Sequence, residues 1–154
     1  MLYQLSKLTD NEREIVMNAP VWVSVYVALA DYRITKEERK KIVQTVHTKT
    51  FSEKNDLSEL YKELDINIEQ RLEAAISSIP VFQEDKEPFV RQKLVEFNAV
   101  LQKLPIVFAR QLHKSLKDFA LYTAQASGGI LGVNRINETE KGLMQLDMIQ
   151  EPQV

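Results

Sequence analysis

The segment Ala19-Pro-Val-Trp-Val-Ser-Val-Tyr-Val-Ala-Leu-Ala30 is the most apolar part of this 154-residue chain, and its pattern is compatible with two structures. Valine at every second position from Val21 to Val27 is typical of a β-strand, because alternate side chains share one face. Pro20, which suits the first turn of a helix, and the alanines that follow favour a helix instead. We predict a helix, because no other segment has the pattern of a partner strand. Its twelve residues are too few to cross a membrane, which takes about 20.

Capping boxes predict where three helices begin. In each, a side-chain acceptor is followed three residues later by glutamate, as in Thr9 with Glu12, Thr35 with Glu38, and Asn137 with Glu140. The helix that follows Thr35 is predicted to end near His47. The last helix is predicted to place three apolar side chains toward the core, those of Leu143, Leu146 and Ile149.

Apolar residues at helical spacing predict the remaining helices. Two amphipathic helices lie between residues 57 and 79, and a longer periodic run extends from Phe89 to Phe119. Pro105 interrupts that run, so we predict two helices joined near residues 103–104, the second ending near residue 126. The chain is therefore predicted to be a single all-α domain of about seven helices, residues 1–154, with a frayed tail from about residue 151.

The overall composition excludes several classes of function. With 20 basic and 22 acidic side chains, the net charge of −2 provides no field that would attract nucleic acid or an anionic membrane. The lack of cysteine excludes disulfides, thiolate metal sites and cysteine nucleophiles, and suits a reducing compartment. The first residues do not have the basic segment and apolar run of a secretion signal. We expect a cytoplasmic protein with no integral membrane segment and no nucleic-acid partner.

The sequence contains no recognisable catalytic motif. The two histidines, His47 and His113, show no metal or nucleophile pairing, so each is predicted to lie on a helix surface or half-buried. The glycine-containing segment Gly128-Gly-Ile-Leu-Gly132 lacks the Gly-Lys-Ser/Thr ending of a phosphate-binding loop. We therefore predict that the protein is not an enzyme.

Two groups of residues have the composition of binding surfaces. A basic patch on the helix after Thr35 consists of Lys36, Arg39, Lys40 and Lys41. Because glutamates lie among these residues and no aromatic side chain is interleaved, the patch is more typical of a solvated helix face than of a nucleic-acid site. Trp22 and Tyr26, four residues apart, are suited to anchoring a partner, but their apolar neighbours favour packing in the core.

Two distant parts of the sequence share one pattern. The first is Ala30-Asp31-Tyr-Arg-Ile34-Thr35-Lys-Glu37-Glu38, and the second is Ala126-Ser-Gly-Gly-Ile-Leu-Gly132 running into Ile136-Asn-Glu-Thr-Glu140. Each ends a helix on small residues, makes a turn, places an isoleucine and opens a new helix with a capping box. The repetition predicts two helix-turn-helix units with pseudo-twofold packing around one core.

With these two motifs the chain resembles the tellurite-resistance TerB-like helical domain family over almost its whole length. The family pattern is a small-residue helix end, Ala-Asp-Gly, Ile and Ser/Thr-x-Glu-Glu, present twice. The resemblance implies an all-α fold, an acidic cluster proposed to bind a metal ion, and a role in the bacterial response to tellurite or other chemical stress. This chain has Tyr32 where the family has glycine and Ser127 where the family has its second aspartate.

Acidic residues of the two turns are the candidate metal ligands, namely Asp31, Glu37, Glu38, Glu138 and Glu140. Because all five offer oxygen, such a site would select a hard divalent cation such as Ca²⁺ or Mg²⁺. The alternative is structural, since Glu38 and Glu140 occupy the capping positions where carboxylates bind backbone N–H groups. Two functions stay open: a metal-binding stress-response protein, and a helical module that docks a protein partner of a stress-response system without a metal site.

Overall fold

Six α-helices and one short 3-10 turn form the part of the chain that the computed structural model describes, residues 2–29, 34–53, 56–127 and 145–153. The 3-10 turn spans Tyr3–Leu5, and the helices are α1 (Asp10–Ala28), α2 (Lys36–Ser52), α3 (Asp56–Ile66), α4 (Ile68–Ser78), α5 (Gln83–Leu101) and α6 (Ile106–Ser127). No strand occurs in these ranges, so the predicted all-α class is confirmed. The helix predicted from residue 137 and the turns at residues 30–33 and 128–135 lie outside them, so the seven-helix count and the repeat stay predictions.

Helix α1 is the central helix and packs against α2, α4, α5 and α6. From Val16 to Ala28 its residues are buried except Asn18 and Trp22, which are half-buried. A helix surrounded in this way buries almost every face, so its apolar residues need no helical periodicity. The alternation of valines therefore reflects burial on all sides and not a strand. None of the described helices combines the length and hydropathy needed to cross a membrane.

Pro20 lies inside α1, whereas the sequence predicts that it opens a new helix. Proline lacks the N–H that would bond to the carbonyl of Val16, and an interior proline costs a helix about 3 kcal/mol. The hydroxyl of Ser24, itself buried, lies 3.1 and 2.9 Å from the carbonyl oxygens of Pro20 and Val21 and donates to them. Burial of the surrounding apolar side chains offsets the lost backbone bond, so two predicted elements form one helix.

The other helix boundaries follow the prediction with two extensions. Helix α2 continues beyond its predicted end near His47 to Ser52, and α5 begins at Gln83 instead of Phe89. The break around Pro105 is confirmed, because α5 ends at Leu101 and α6 begins at Ile106. A single cluster of buried side chains from all six helices and from residues 145–149 forms the hydrophobic core of the described residues.

The described C-terminal residues, 145–153, form turns and a tail without regular secondary structure, so the helix predicted through Ile149 is wrong for these residues. Leu146 and Ile149 are buried as predicted, but Leu146 has a φ of 47°, which is incompatible with a right-handed helix. Where a frayed tail is predicted, Pro152 is buried and its carbonyl oxygen accepts a hydrogen bond from Arg110 Nε at 3.0 Å. This hydrogen bond therefore holds the C-terminal segment against α6.

The stability of the fold should depend on the protonation of His113, which is half-buried on α6. Burial lowers the pKa of His113 below its ordinary value of 6.5, and the charge of Lys117 acts in the same direction, against the backbone of Ile149 and the charge of Glu151. Because the unfolded chain binds this proton more readily, the free energy of unfolding should fall as the pH is lowered from about 7 to about 5.

Urea denaturation at a series of pH values measures this dependence. His113→Gln should flatten the dependence over that range. An equally steep dependence in wild type and His113→Gln would show that another group is responsible.

Candidate functional site

The N-terminus of α2 contains the two candidate metal ligands that the structure describes, Glu37 and Glu38. Glu38 Oε1 accepts a hydrogen bond from the backbone N–H of Thr35 at 3.0 Å, and Thr35 Oγ1 accepts one from the N–H of Glu38 at 3.1 Å. Glu38 is only 7% exposed, whereas Glu37 is exposed. This geometry is a complete capping box, so one oxygen of Glu38 satisfies a backbone donor at the start of α2.

The metal site predicted from sequence lies mainly outside the described residues. Asp31, Glu138 and Glu140 are outside them, so the convergence of the two acidic turns stays a prediction. In the described part of the chain, no group of three or more His, Asp or Glu side chains is arranged to hold a metal ion.

Removing either partner of the α2 capping box should destabilise the fold by about 1 kcal/mol, the usual effect of losing an N-cap. Thr35→Ala and Glu38→Ala should cost similar amounts, and the double variant should cost less than their sum because the two bonds are reciprocal. Chemical denaturation with and without a chelator measures these losses. If chelator abolishes the loss of stability in Glu38→Ala but leaves that in Thr35→Ala unchanged, Glu38 is a metal ligand.

Part of the basic patch on α2 borders a groove of about 350 Å³ between α2 and α4. Arg39 and Lys40 line the α2 wall together with Gln44, and Glu69 and Glu73 line the α4 wall. The floor consists of Val43, half-buried on α2, and Leu72, which is 3% exposed on α4. We call this feature the α2/α4 groove: an apolar floor between a basic wall and an acidic wall.

The charged side chains of the α2/α4 groove have no ion-pair partner in the part of the chain that the structure describes. Among the described residues, Arg39, Lys40, Glu69 and Glu73 form no salt bridge, although the two walls have opposite charges. Arg39 Nε is shielded from solvent and has no hydrogen-bond acceptor among these residues. Glu69 and Glu73 are one helical turn apart on α4, a spacing at which like charges repel by a few tenths of a kcal/mol. Among the described residues, the charged side chains of both walls are therefore available to pair with a partner.

The α4 wall of this groove is not predicted by the sequence. The periodicity of α4 places Leu72 in the core, as observed, but a buried leucine beside exposed glutamates is common to amphipathic helices in general. The basic residues of α2 are predicted to form a solvated helix face. Only the packing of α2 beside α4 shows that Arg39 and Lys40 border a groove.

A second groove, between α1 and α4, is bridged by hydrogen bonds between the side chains that line it. Arg71 donates from Nη1 to Glu14 Oε2 at 2.9 Å and to Asn18 Oδ1 at 2.9 Å, and from Nε to Asn67 Oδ1 at 3.0 Å. The hydrogen bond from Arg71 lowers the pKa of Glu14. Half-buried Trp22 lines this groove too. These bonds join α1 to α4, so the groove is a structural contact.

Trp22 and Tyr26 do not form an exposed anchor, and the predicted core packing is confirmed for Tyr26. Tyr26 is 3% exposed and donates to Glu87 Oε1 at 2.8 Å, and burial raises its pKa to about 12. Trp22 contacts the ring of Phe89 edge-on at a centroid distance of 6.0 Å, and Lys93 Nζ lies 6.0 Å from the indole centroid. Both residues of the pair connect α1 to α5.

A buried polar cluster joins α2, α3 and α6. Lys49 Nζ donates to Glu53 Oε1 at 2.7 Å and to Ser115 Oγ at 3.3 Å, and Ser115 donates to the same Glu53 oxygen at 3.0 Å. Tyr61 OH lies 2.7 Å from Ser115 Oγ, and burial raises the pKa of Tyr61. Lysine, serine and tyrosine together are typical of nucleophilic chemistry, but these three residues are buried and bind one another. The cluster has the features of a polar network that stabilises the packing of these helices.

No protein-family model, curated protein or solved structure matches this chain. The function therefore has to be argued from the geometry of the described residues and from the motifs in the sequence.

Proposed function

We propose that this protein is a non-enzymatic, TerB-like helical module of a bacterial response to tellurite or other chemical stress, and that it docks a protein partner in the α2/α4 groove. The observation that supports docking is the pairing of an apolar floor with charged walls that have no ion-pair partner among the described residues. A partner that covers half-buried Val43 and brings charges to both walls would gain apolar burial and electrostatic complementarity together.

The assignment to stress response follows from the two turn motifs described above, in particular Thr35-Lys-Glu37-Glu38 at the start of α2. The first groove residue, Arg39, directly follows this motif in the sequence. The motif that resembles the family and the groove that supports docking therefore belong to the same helix.

Genetic complementation tests this proposal. In the bacterium that carries the gene, deletion should reduce growth on tellurite or another chemical stressor, and the wild-type gene should restore it. Lys40→Glu, which reverses one charge of the basic wall, should fail to restore growth, whereas Lys41→Glu should restore it because Lys41 does not line the groove. Equal restoration by both variants, or full stress tolerance of the deletion strain, would contradict the proposal.

A divalent cation site in the two acidic turns is the second candidate function. The carboxylate of Glu37 is exposed and takes no part in the capping box of α2, which leaves it accessible to a cation. Calorimetric titration of the chain with Ca²⁺, Mg²⁺ and Mn²⁺ tests this candidate. Binding heat that is lost in Glu37→Gln would support it, and the absence of heat for all three ions would exclude it.

A further inference from the structure

The α2/α4 groove lies between two neighbouring helices. Its volume of about 350 Å³ is at the lower end of the range for small-molecule pockets, and it is partly open to solvent. An amphipathic helix laid in such a groove inserts apolar side chains from successive turns and keeps its polar faces in solvent. The floor of Val43 and Leu72 therefore suits one or two large apolar side chains better than an enclosed ligand.

Charge on the walls determines which helix fits. Arg39 and Lys40 on α2 would pair with acidic residues along one edge of the apolar stripe of the bound helix. Glu69 and Glu73 on α4 would pair with basic residues along its other edge. A partner with these flanks also relieves the repulsion between Glu69 and Glu73 on α4. A helix with the same charge on both flanks would face a wall of like charge on one side.

We infer that the partner segment is an amphipathic α-helix whose apolar stripe is flanked by acidic residues on one side and basic residues on the other. This inference rests on the proposed function and adds the chemistry of the partner. Reversing the direction of a bound helix exchanges its left and right flanks. The arrangement of its charges therefore sets the direction in which it lies in the groove.

Three synthetic helices with one common apolar stripe test the inference. The mixed helix has one acidic and one basic flank, the second helix has two acidic flanks, and the third has two basic flanks. Fluorescence anisotropy with the full chain should show that the mixed helix binds about tenfold more tightly than either of the others, a difference expected from a few solvent-exposed charge pairs.

Charge reversal in the groove should change the ranking. Lys40→Glu leaves Arg39 beside a glutamate on the α2 wall, so their charges cancel and the preference for the mixed helix over the helix with two basic flanks should be lost. Glu73→Lys should likewise remove the preference for the mixed helix over the helix with two acidic flanks. Both residues are exposed, so the fold should tolerate the substitutions. Lys41→Glu and Glu59→Lys, exposed residues outside the groove, are the matched controls and should leave the ranking unchanged.

The outcomes separate this inference from the proposed function. Equal affinity for all three helices, or a ranking that does not respond to Lys40→Glu, would overturn the inference about the partner. Self-association of the chain that Lys40→Glu abolishes would also overturn it, because the occupant would then be a second copy. If Lys40→Glu fails to complement but the three helices bind equally well, the docking function stands and only the proposed class of partner is rejected. The expected ranking beside full complementation by Lys40→Glu would retain the partner class and reject the stress-response role of the groove.

Discussion

Replacing Glu53 with alanine should lower the free energy of unfolding by about 3 kcal/mol, because it leaves the buried ammonium group of Lys49 without its carboxylate. The side chain of Lys49 is 6% exposed, and Glu53 Oε1 accepts hydrogen bonds from both Lys49 and Ser115. The substitution therefore removes one partner from two buried donors. Urea denaturation followed by circular dichroism measures the loss.

A second substitution separates the charge from the loss of packing. Lys49→Met in the Glu53→Ala background removes the stranded charge and should recover most of the stability, since an apolar replacement of a buried ion pair is often neutral. Glu59→Ala, at an exposed position on α3, should change stability by about 0.5 kcal/mol or less. A small effect of Glu53→Ala, similar to that of Glu59→Ala, would mean that Lys49 remains hydrated.

Replacing Phe119 with alanine should cost about 4 kcal/mol, the usual range for losing a fully buried aromatic side chain. Phe119 is 0% exposed on α6, and its ring is parallel to that of Tyr61 within 3°, at a centroid distance of 6.3 Å. The truncation opens a cavity at the junction of α3 and α6 and removes this ring contact. Val107→Ala on the same helix, where the side chain is 67% exposed, should cost about 0.5 kcal/mol or less.

The same denaturation assay compares the two α6 variants. If Phe119→Ala cost no more than Val107→Ala, the packing of α3 on α6 would differ from that described. A loss of folding in Phe119→Ala would agree with the expected size, and Phe119→Leu, which keeps most of the apolar volume, would then give a measurable, smaller loss.

Helical periodicity predicts most of the fold because the outer helices each have a single buried face. Leu72 on α4 and Phe97 on α5 are buried as their spacing predicts, and Pro105 separates α5 from α6. The central helix is different, because burial on nearly all sides removes the periodic signal on which such a prediction depends. For the same reason Pro20 is misplaced as a helix start: the packing that stabilises α1 around it is tertiary.

The candidate site is less predictable because it depends on two helices that meet in space. Arg39 and Lys40 are visible in the sequence as basic residues on an exposed helix, and Glu69 and Glu73 as acidic residues on another. No local sequence pattern predicts that these two helices line one groove. By contrast, the Thr35 capping box is a local motif, and the structure places its two hydrogen bonds where the sequence predicts them. Leu146 shows the opposite case, since its spacing predicts a right-handed helix and its φ of 47° lies in the left-handed region.

Docking in the α2/α4 groove can be measured by amide chemical-shift mapping of the mixed helix on the full chain. Perturbed amides should concentrate in residues 39–44 of α2 and 69–73 of α4, and Lys40→Glu should reduce these perturbations while Lys41→Glu should not. Perturbations located instead on α5 or α6, or unaffected by Lys40→Glu, would contradict docking in this groove.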